Sequence, residues 1–158
     1  MHKKLITVTG SRHYEETLAN IGFDKLFSEE EANELIPRLE ILMRQLQMQA
    51  TSLRARIDEL SVTDPSILHC AMNEIVGRYP ELRSFATNMA DAAAQIESFG
   101  CILKDIDLGL IDFPYDADDE VVFLCWQFGE PRVVAWHSVN GGFSERQPLP
   151  GAPNRWLN

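Results

Sequence analysis

From Leu35 onward, apolar residues return every three or four positions: Leu35, Leu39, Leu42, Leu46, Leu53, Ile57 and Leu60, at spacings of 4, 3, 4, 7, 4 and 3. This rhythm keeps one side of an α-helix apolar in the manner of a coiled-coil seam, with Gln49 as its interruption. The start is signalled by Ser28-Glu29-Glu30-Glu31, a hydroxyl at the N-cap with a carboxylate three residues on, and Phe27 just before it can act as a hydrophobic staple. One long helix from Ser28 to about Leu60 is predicted. Pro37 lacks a backbone donor and crowds the preceding turn, so a kink is expected near Asn33. Asp64-Pro65 is a second start signal and opens a helix through Ile67, Leu68, Ala71, Met72, Ile75 and Val76, with Gly77 and Pro80 bracketing its end. A third apolar stripe, Leu82, Phe85, Met89, Ala92, Ala93, Ile96 and Phe99, stops at Gly100, where a left-handed C-cap fits.

After Gly100 the rhythm changes to short β-rich runs at residues 101–104, 110–113, 121–128 and 133–139, divided by turn-forming segments at 107–109, 114–119, 129–132 and 140–142. The links are too short for parallel crossovers, so neighbouring strands are antiparallel. The predicted class is therefore α+β: a long helical hairpin of two to three amphipathic helices, then a small antiparallel β-meander of about four strands. Residues 27–148 form the expected domain, as a hairpin (27–99) and a meander (100–148). Residues 1–26 read as an appendage, with 5–8 compatible with a short strand, and 149–158 as a tail that Trp156 can pin.

Composition narrows the function. The 158 residues are 45% hydrophobic and 24% charged, ordinary values for a folding chain. The formal net charge is -10, and no segment is basic beyond a single positive charge in the first 27 residues. Nucleic-acid binders concentrate Lys and Arg to neutralise phosphate, so no nucleic-acid partner is expected. Cys70, Cys101 and Cys125 stand far apart without a C-x-x-C pair, which suits reduced thiols in a reducing compartment. The N-terminus does not read as a signal peptide, and no apolar run reaches the roughly 18 residues a bilayer requires. A cytoplasmic, acidic protein without membrane association is the expectation.

Familiar catalytic signatures are absent: no G-x-G-x-x-G after a strand, no phosphate-binding G-x-x-x-x-G-K-[ST], no H-E-x-x-H and no G-x-S-x-G. The acidic run Asp116, Asp118, Asp119 and Glu120 lacks the glycine and the terminal glutamate spacing of a calcium loop, and reads as a solvated turn. Asp112, Cys125, Glu130 and His137 are all metal-capable, and Cys125 with His137 would suit a divalent ion such as zinc. Whether they meet depends on register, since side chains alternate faces. Pairing Phe128 with Val133 sets Leu124 opposite His137; pairing Phe128 with Val134 makes Cys125 and His137 direct neighbours. Trp126 and Trp136 can line a pocket or seal the core. Lys104, Asp105 and Arg146 carry charge in apolar surroundings, which favours an ion pair such as Arg146 with Asp112 or Glu130. The other use of these groups is ligand binding at a pocket mouth, where a basic residue would take an anion.

Two stretches carry a family resemblance. One is Phe-x-x-x-Glu-Ala-Asn-x-Leu-x-Pro at Phe27, Glu31, Ala32, Asn33, Leu35 and Pro37. The other runs through Gly100-Cys101, Leu103-Lys104-Asp105, Gly109-Leu110, Asp112-Phe113-Pro114, Leu124-Cys125-Trp126, Gly129-Glu130, Trp136-His137, Gly142-Phe143 and Arg146-Gln147-Pro148. Together they resemble an uncharacterised prokaryotic family, domain of unknown function number twenty-two-oh-three. The resemblance implies a small cytoplasmic domain of helical hairpin plus β-unit and no particular activity. A leucine seam longer than a short return hairpin need cover suggests a non-catalytic interaction module, a homo-oligomer through its helices. The alternative is a small metal-dependent or ligand-binding enzyme using the meander cluster. In a third reading Glu31 and Asn33, at the helix start, contact a protein partner.

Overall fold

The computed structural model describes residues 22–118 and 120–152, so the expectations for residues 5–8 and for Trp156 lie outside the described residues. Helix α1 (Glu29–Ser61) starts as its cap predicts: Glu31 N–H donates to Ser28 Oγ at 3.0 Å and Ser28 N–H to Glu31 Oε2 at 2.8 Å. It runs unbroken through Pro37. The buried seam is Ala32, Ile36, Leu39, Met43, Leu46, Ala50 and Leu53, a four–three alternation without a gap. Gln49 therefore lies beside the seam rather than in it. The leucine pattern finds Leu39, Leu46 and Leu53 of this stripe, with Leu42 buried beside them, and misses the small Ala32 and Ala50. Asn33 accepts from Val133 N–H at 2.8 Å and donates to Glu29 C=O at 2.9 Å, tying the helix to the chain entering the last long strand.

The return to the sheet is more broken than the apolar pattern suggests. A 3-10 turn (Pro65–His69), helix α2 (Met72–Arg78), a second 3-10 turn (Pro80–Leu82) and helix α3 (Arg83–Ser98) replace two regular helices. Asp64 occupies the N-cap position but makes no capping bond. Its carboxylate instead accepts from the Ser66 hydroxyl, from Arg78 at 2.8 Å and from Tyr79 Oη at 2.9 Å. Cys70 and Ala71 are extended, and α2 restarts where the Glu74 carboxylate accepts from Ala71 N–H at 3.1 Å. These pieces close the distal end of α1 around Leu53, Ile67, Ile75 and Leu82, with Ile57 and Leu60 packed on them. The apolar seam is filled from within the chain. Helix α3 ends before Gly100, whose φ is +90° and where an added Cβ would lie 3.1 Å from Lys25 Cβ, leaving little room for a side chain. Among the described residues no helix is long and apolar enough to cross a membrane.

Five strands, β1 (Ile102–Asp105), β2 (Leu110–Ala117), β3 (Glu120–Gln127), β4 (Ala135–Ser138) and β5 (Gln147–Pro148), form one antiparallel sheet in sequential order. The predicted meander gains a fifth, two-residue strand. Strand β2 also continues through Pro114, where a turn was expected. Pro114 is tolerated because its backbone points away from β3: its carbonyl accepts from Phe27 N–H at 2.7 Å, beyond the end of β1, so no ladder donor is lost. The turn itself is two residues long, since Ala117 pairs with Glu120, and Asp118 takes the positive φ of 53° that such turns require. Ile111, Phe113, Leu124 and Trp126 pack against Leu39, Met43 and Leu46 of α1 and Ile96 of α3 in one core. Residues between them point to the other face, yet Leu110 to Pro114 and Val122 to Trp126 are buried throughout. The strands thus read as continuous apolar runs rather than as clean alternation, the mark of a sheet covered on both sides.

Asn33→Ala should cost about 1–3 kcal/mol, because Val133 N–H loses its partner within the fold; an unfolding free energy from urea titration within about 0.3 kcal/mol of the parent would reject this clamp. Asp64 is held down at about 2, by the Ser66 hydroxyl first and then by Arg78 and Tyr79, below its ordinary 3.8. A depressed acid stabilises the fold fully above its unfolded value and loses that contribution as pH falls through the folded one. The stability gap between parent and Asp64→Asn should therefore be full at pH 7 and close between about pH 4 and 2; a gap that persists at pH 2 would contradict it.

Candidate metal centre

Register brings the cluster together. Cys125 pairs with Asp112 on one side and Ala135 on the other, and Phe123 pairs with His137. Neither register expected from the sequence occurs: Leu124 faces Trp136, one step from the first and two from the second. Cys125 and His137 nevertheless share a face, as diagonal neighbours, and Asp112 stands on the same face of β2. This face is opposite to the helices. Asp112, Cys125 and His137 are 1%, 1% and 2% exposed, and their ligand atoms all lie within 4.8 Å of one another. Phe123 stands beside them, with the Phe23 ring edge-on at 5.3 Å and the Lys104 ammonium 5.8 Å from its centroid.

The histidine is oriented by its backbone. His137 Nδ1 lies 2.8 Å from the Ser138 carbonyl, which can only accept, so Nδ1 carries a proton. Nε2 is thereby aimed at Asp112 Oδ2, 3.1 Å away. Carbonyl-anchored imidazole with the second nitrogen presented to neighbouring ligands is the usual arrangement around protein-bound metal. Asp112 Oδ1 is buried without a hydrogen-bond partner. Burial pushes the Asp112 carboxyl up from its ordinary value, with His137 partly offsetting it. Burial also raises the Cys125 thiol, and Asp112 adds to the rise. No hydrogen bond links Cys125 to His137 among the described residues, so the trio lacks the nucleophile–base contact of thiol catalysis.

Glu130, the fourth metal-capable residue, belongs to a different network. The turn at Gly129 (φ +100°) folds it back so that its Oε2 accepts from Gln127 N–H at 2.8 Å and its Oε1 from Arg146 Nη2 at 2.7 Å. The Glu130 carbonyl accepts from the Trp126 indole at 2.9 Å. Glu130 and Arg146 side chains are each 4% exposed, and Arg146 also lies over Phe143, 5.0 Å from its centroid. Of the two pairings expected for Arg146, the one with Glu130 forms. The remaining ligand candidates do not converge. Lys104 and Asp105 line an open cleft with Arg54 and Met89, Trp126 is fully buried in the core, and Trp136 lines a separate apolar cavity. The exposed Glu31 makes the helix cap and an ion pair with Lys25, and Asn33 makes the Val133 clamp. The feature missed in the sequence is the Ser138 carbonyl; a backbone oxygen leaves no mark on residue type.

Arg146→Met should destabilise by about 3–5 kcal/mol, since Glu130 would stay buried without its counter-charge. Combined with Glu130→Gln, it should cost markedly less than Arg146→Met alone; additive losses in chemical denaturation would show that the two side chains act independently.

No curated protein and no solved structure matches the chain. A family model described as "Uncharacterized conserved protein (DUF2203)" matches residues 25–149, a span that takes in the capped start of α1, the sheet, the candidate centre and the Glu130–Arg146 pair. The chain belongs to this family.

Proposed function

We propose that the protein is a non-catalytic metal-binding domain in which Asp112, Cys125 and His137 hold a divalent transition ion such as zinc, fastening β2, β3 and β4 on the face away from the helices. The observation that carries this reading is the convergence of three different ligand types within 4.8 Å, in a buried spot where Asp112 Oδ1 makes no hydrogen bond. Sulfur, imidazole nitrogen and carboxylate oxygen together form a donor set that zinc accepts. Zinc takes these donors at roughly 2.0–2.3 Å, so loading draws the ligand atoms together by on the order of an ångström. A bound cation would satisfy Asp112 Oδ1, which otherwise costs free energy. The ligands' burial leaves little room for a substrate, which supports a structural rather than a catalytic ion.

The reading needs no second copy of the chain, because the helical seam that suggested self-association is packed by α2, α3 and the sheet. Three free cysteines support a reducing, cytoplasmic setting as part of the proposal, one that keeps Cys125 available as a ligand.

Freshly purified protein should contain close to one ion per chain, and cobalt reconstitution should give a thiolate-to-cobalt absorption band. Zinc at about 100 times its Kd should stabilise the fold by about 2.7 kcal/mol. Cys125→Ala, in which a small apolar group replaces the thiol, should fold but lose the band and the gain. Protein that carries no stoichiometric metal and melts identically with and without zinc would end the proposal.

A further inference from the structure

The other face of the same strands carries a second feature. Tyr115 of β2, Glu120, Val122 and Leu124 of β3, and Trp136 and Ser138 of β4 line a cavity of about 270 Å³. Register explains the set: Tyr115 pairs with Val122, Val122 with Ser138, and Leu124 with Trp136, so these side chains share the helix-facing side of the sheet, opposite to the candidate metal centre. Val122 and Leu124 are buried and form an apolar floor. The lining residues also bring polar groups: the Tyr115 hydroxyl, the Trp136 indole N–H, the Ser138 hydroxyl and the Glu120 carboxylate. None of these side chains makes a hydrogen bond or ion pair with the described residues. Glu120 is the single charged group among the lining residues, in a chain whose net charge is -10.

We infer that this cavity binds a small organic cation, an alkylated ammonium ion whose methyl groups rest on the apolar floor and whose charge meets Glu120 and the aromatic rings. Charge complementarity decides the class. An anion would face an unpaired carboxylate inside an acidic protein, and a neutral apolar molecule would leave that carboxylate and both aromatic quadrupoles unused. Aromatic side chains from the two strands flanking β3, with a carboxylate at the rim, are the elements by which quaternary ammonium groups are recognised. The size fits as well: the space is at the lower end of small-molecule sites, too small for an extended drug-sized ligand.

The test compares choline with its uncharged isostere 3,3-dimethylbutan-1-ol, with binding followed by NMR shifts of the Trp136 indole and the Val122 and Leu124 methyl groups. Choline should bind at least roughly tenfold more tightly than the alcohol, with the shifts confined to this cavity. Glu120→Gln, an exposed substitution that leaves the melting midpoint unchanged, should bring the two affinities together, and Trp136→Leu should weaken choline more than the alcohol. Equal affinities in the parent protein, shifts that map elsewhere, or no choline binding at about 10 mM, far above the micromolar-to-millimolar range of specific small ligands, would overturn the inference.

Discussion

Strands β2 and β3 are buried on both faces, and most of the molecule's polar chemistry follows from that constraint. A sheet covered on one side can turn its polar residues to water; here the second side is also withdrawn from solvent. Asp112, His137, Glu130 and Arg146 therefore have to satisfy one another, because an unpaired polar group in such a place costs on the order of 1–3 kcal/mol. They do so in two separate sets. Glu130 and Arg146 neutralise each other and take up Gln127 N–H, while Asp112 and His137 share a single contact and leave one carboxylate oxygen without a partner. The first set balances its charges, though Arg146 Nε stays buried without a hydrogen-bond partner. In the second, Cys125 stands beside the pair, its ligand atom within 4.8 Å of theirs.

The helical half is built to present that sheet. Helix α1 is long enough to serve two cores: its first turns pack on the sheet through Ala32, Ile36, Leu39 and Met43, and its last turns are enclosed by the broken return segment around Leu53. Asn33 links the two halves directly, by using a helix side chain to satisfy a backbone donor just before β4. Pro37 sits one turn further on, where a proline leaves a helix carbonyl without its usual donor, and the helix nevertheless continues. Position on α1 and register on β4 are thus coupled through one amide side chain.

Much of the architecture could be read from residue order because it rests on local rules. Ser28 and Glu31 cap the helix by a reciprocal bond three residues apart, Gly100 ends α3 by a conformation few other residues adopt, and the apolar period changes on passing from one to the other. Errors arose where local signals compete with contacts from elsewhere. Asp64-Pro65 looks like a helix start, but Ser66, Arg78 and Tyr79 claim the carboxylate. Pro114 looks like a strand end, but the edge there is open on the side where its missing N–H would point. Leucines alone mark only part of the seam, because burial also selects Ala32 and Ala50, whose small size is invisible to a search for large apolar groups.

Residue types by themselves determined the α+β class, the order of helices and strands, the metal-capable set Asp112, Cys125, Glu130 and His137, and the two candidate partners of Arg146. Only the tertiary structure decided which of the four converge and which partner Arg146 takes. The reason is the two-residue period of a strand: a shift of one residue moves a side chain through the sheet, and the shift is set by turn geometry around Gly129 and by Asn33 holding Val133 from another element. The Asn33–Val133 contact joins residues 100 positions apart, beyond the reach of any local pattern.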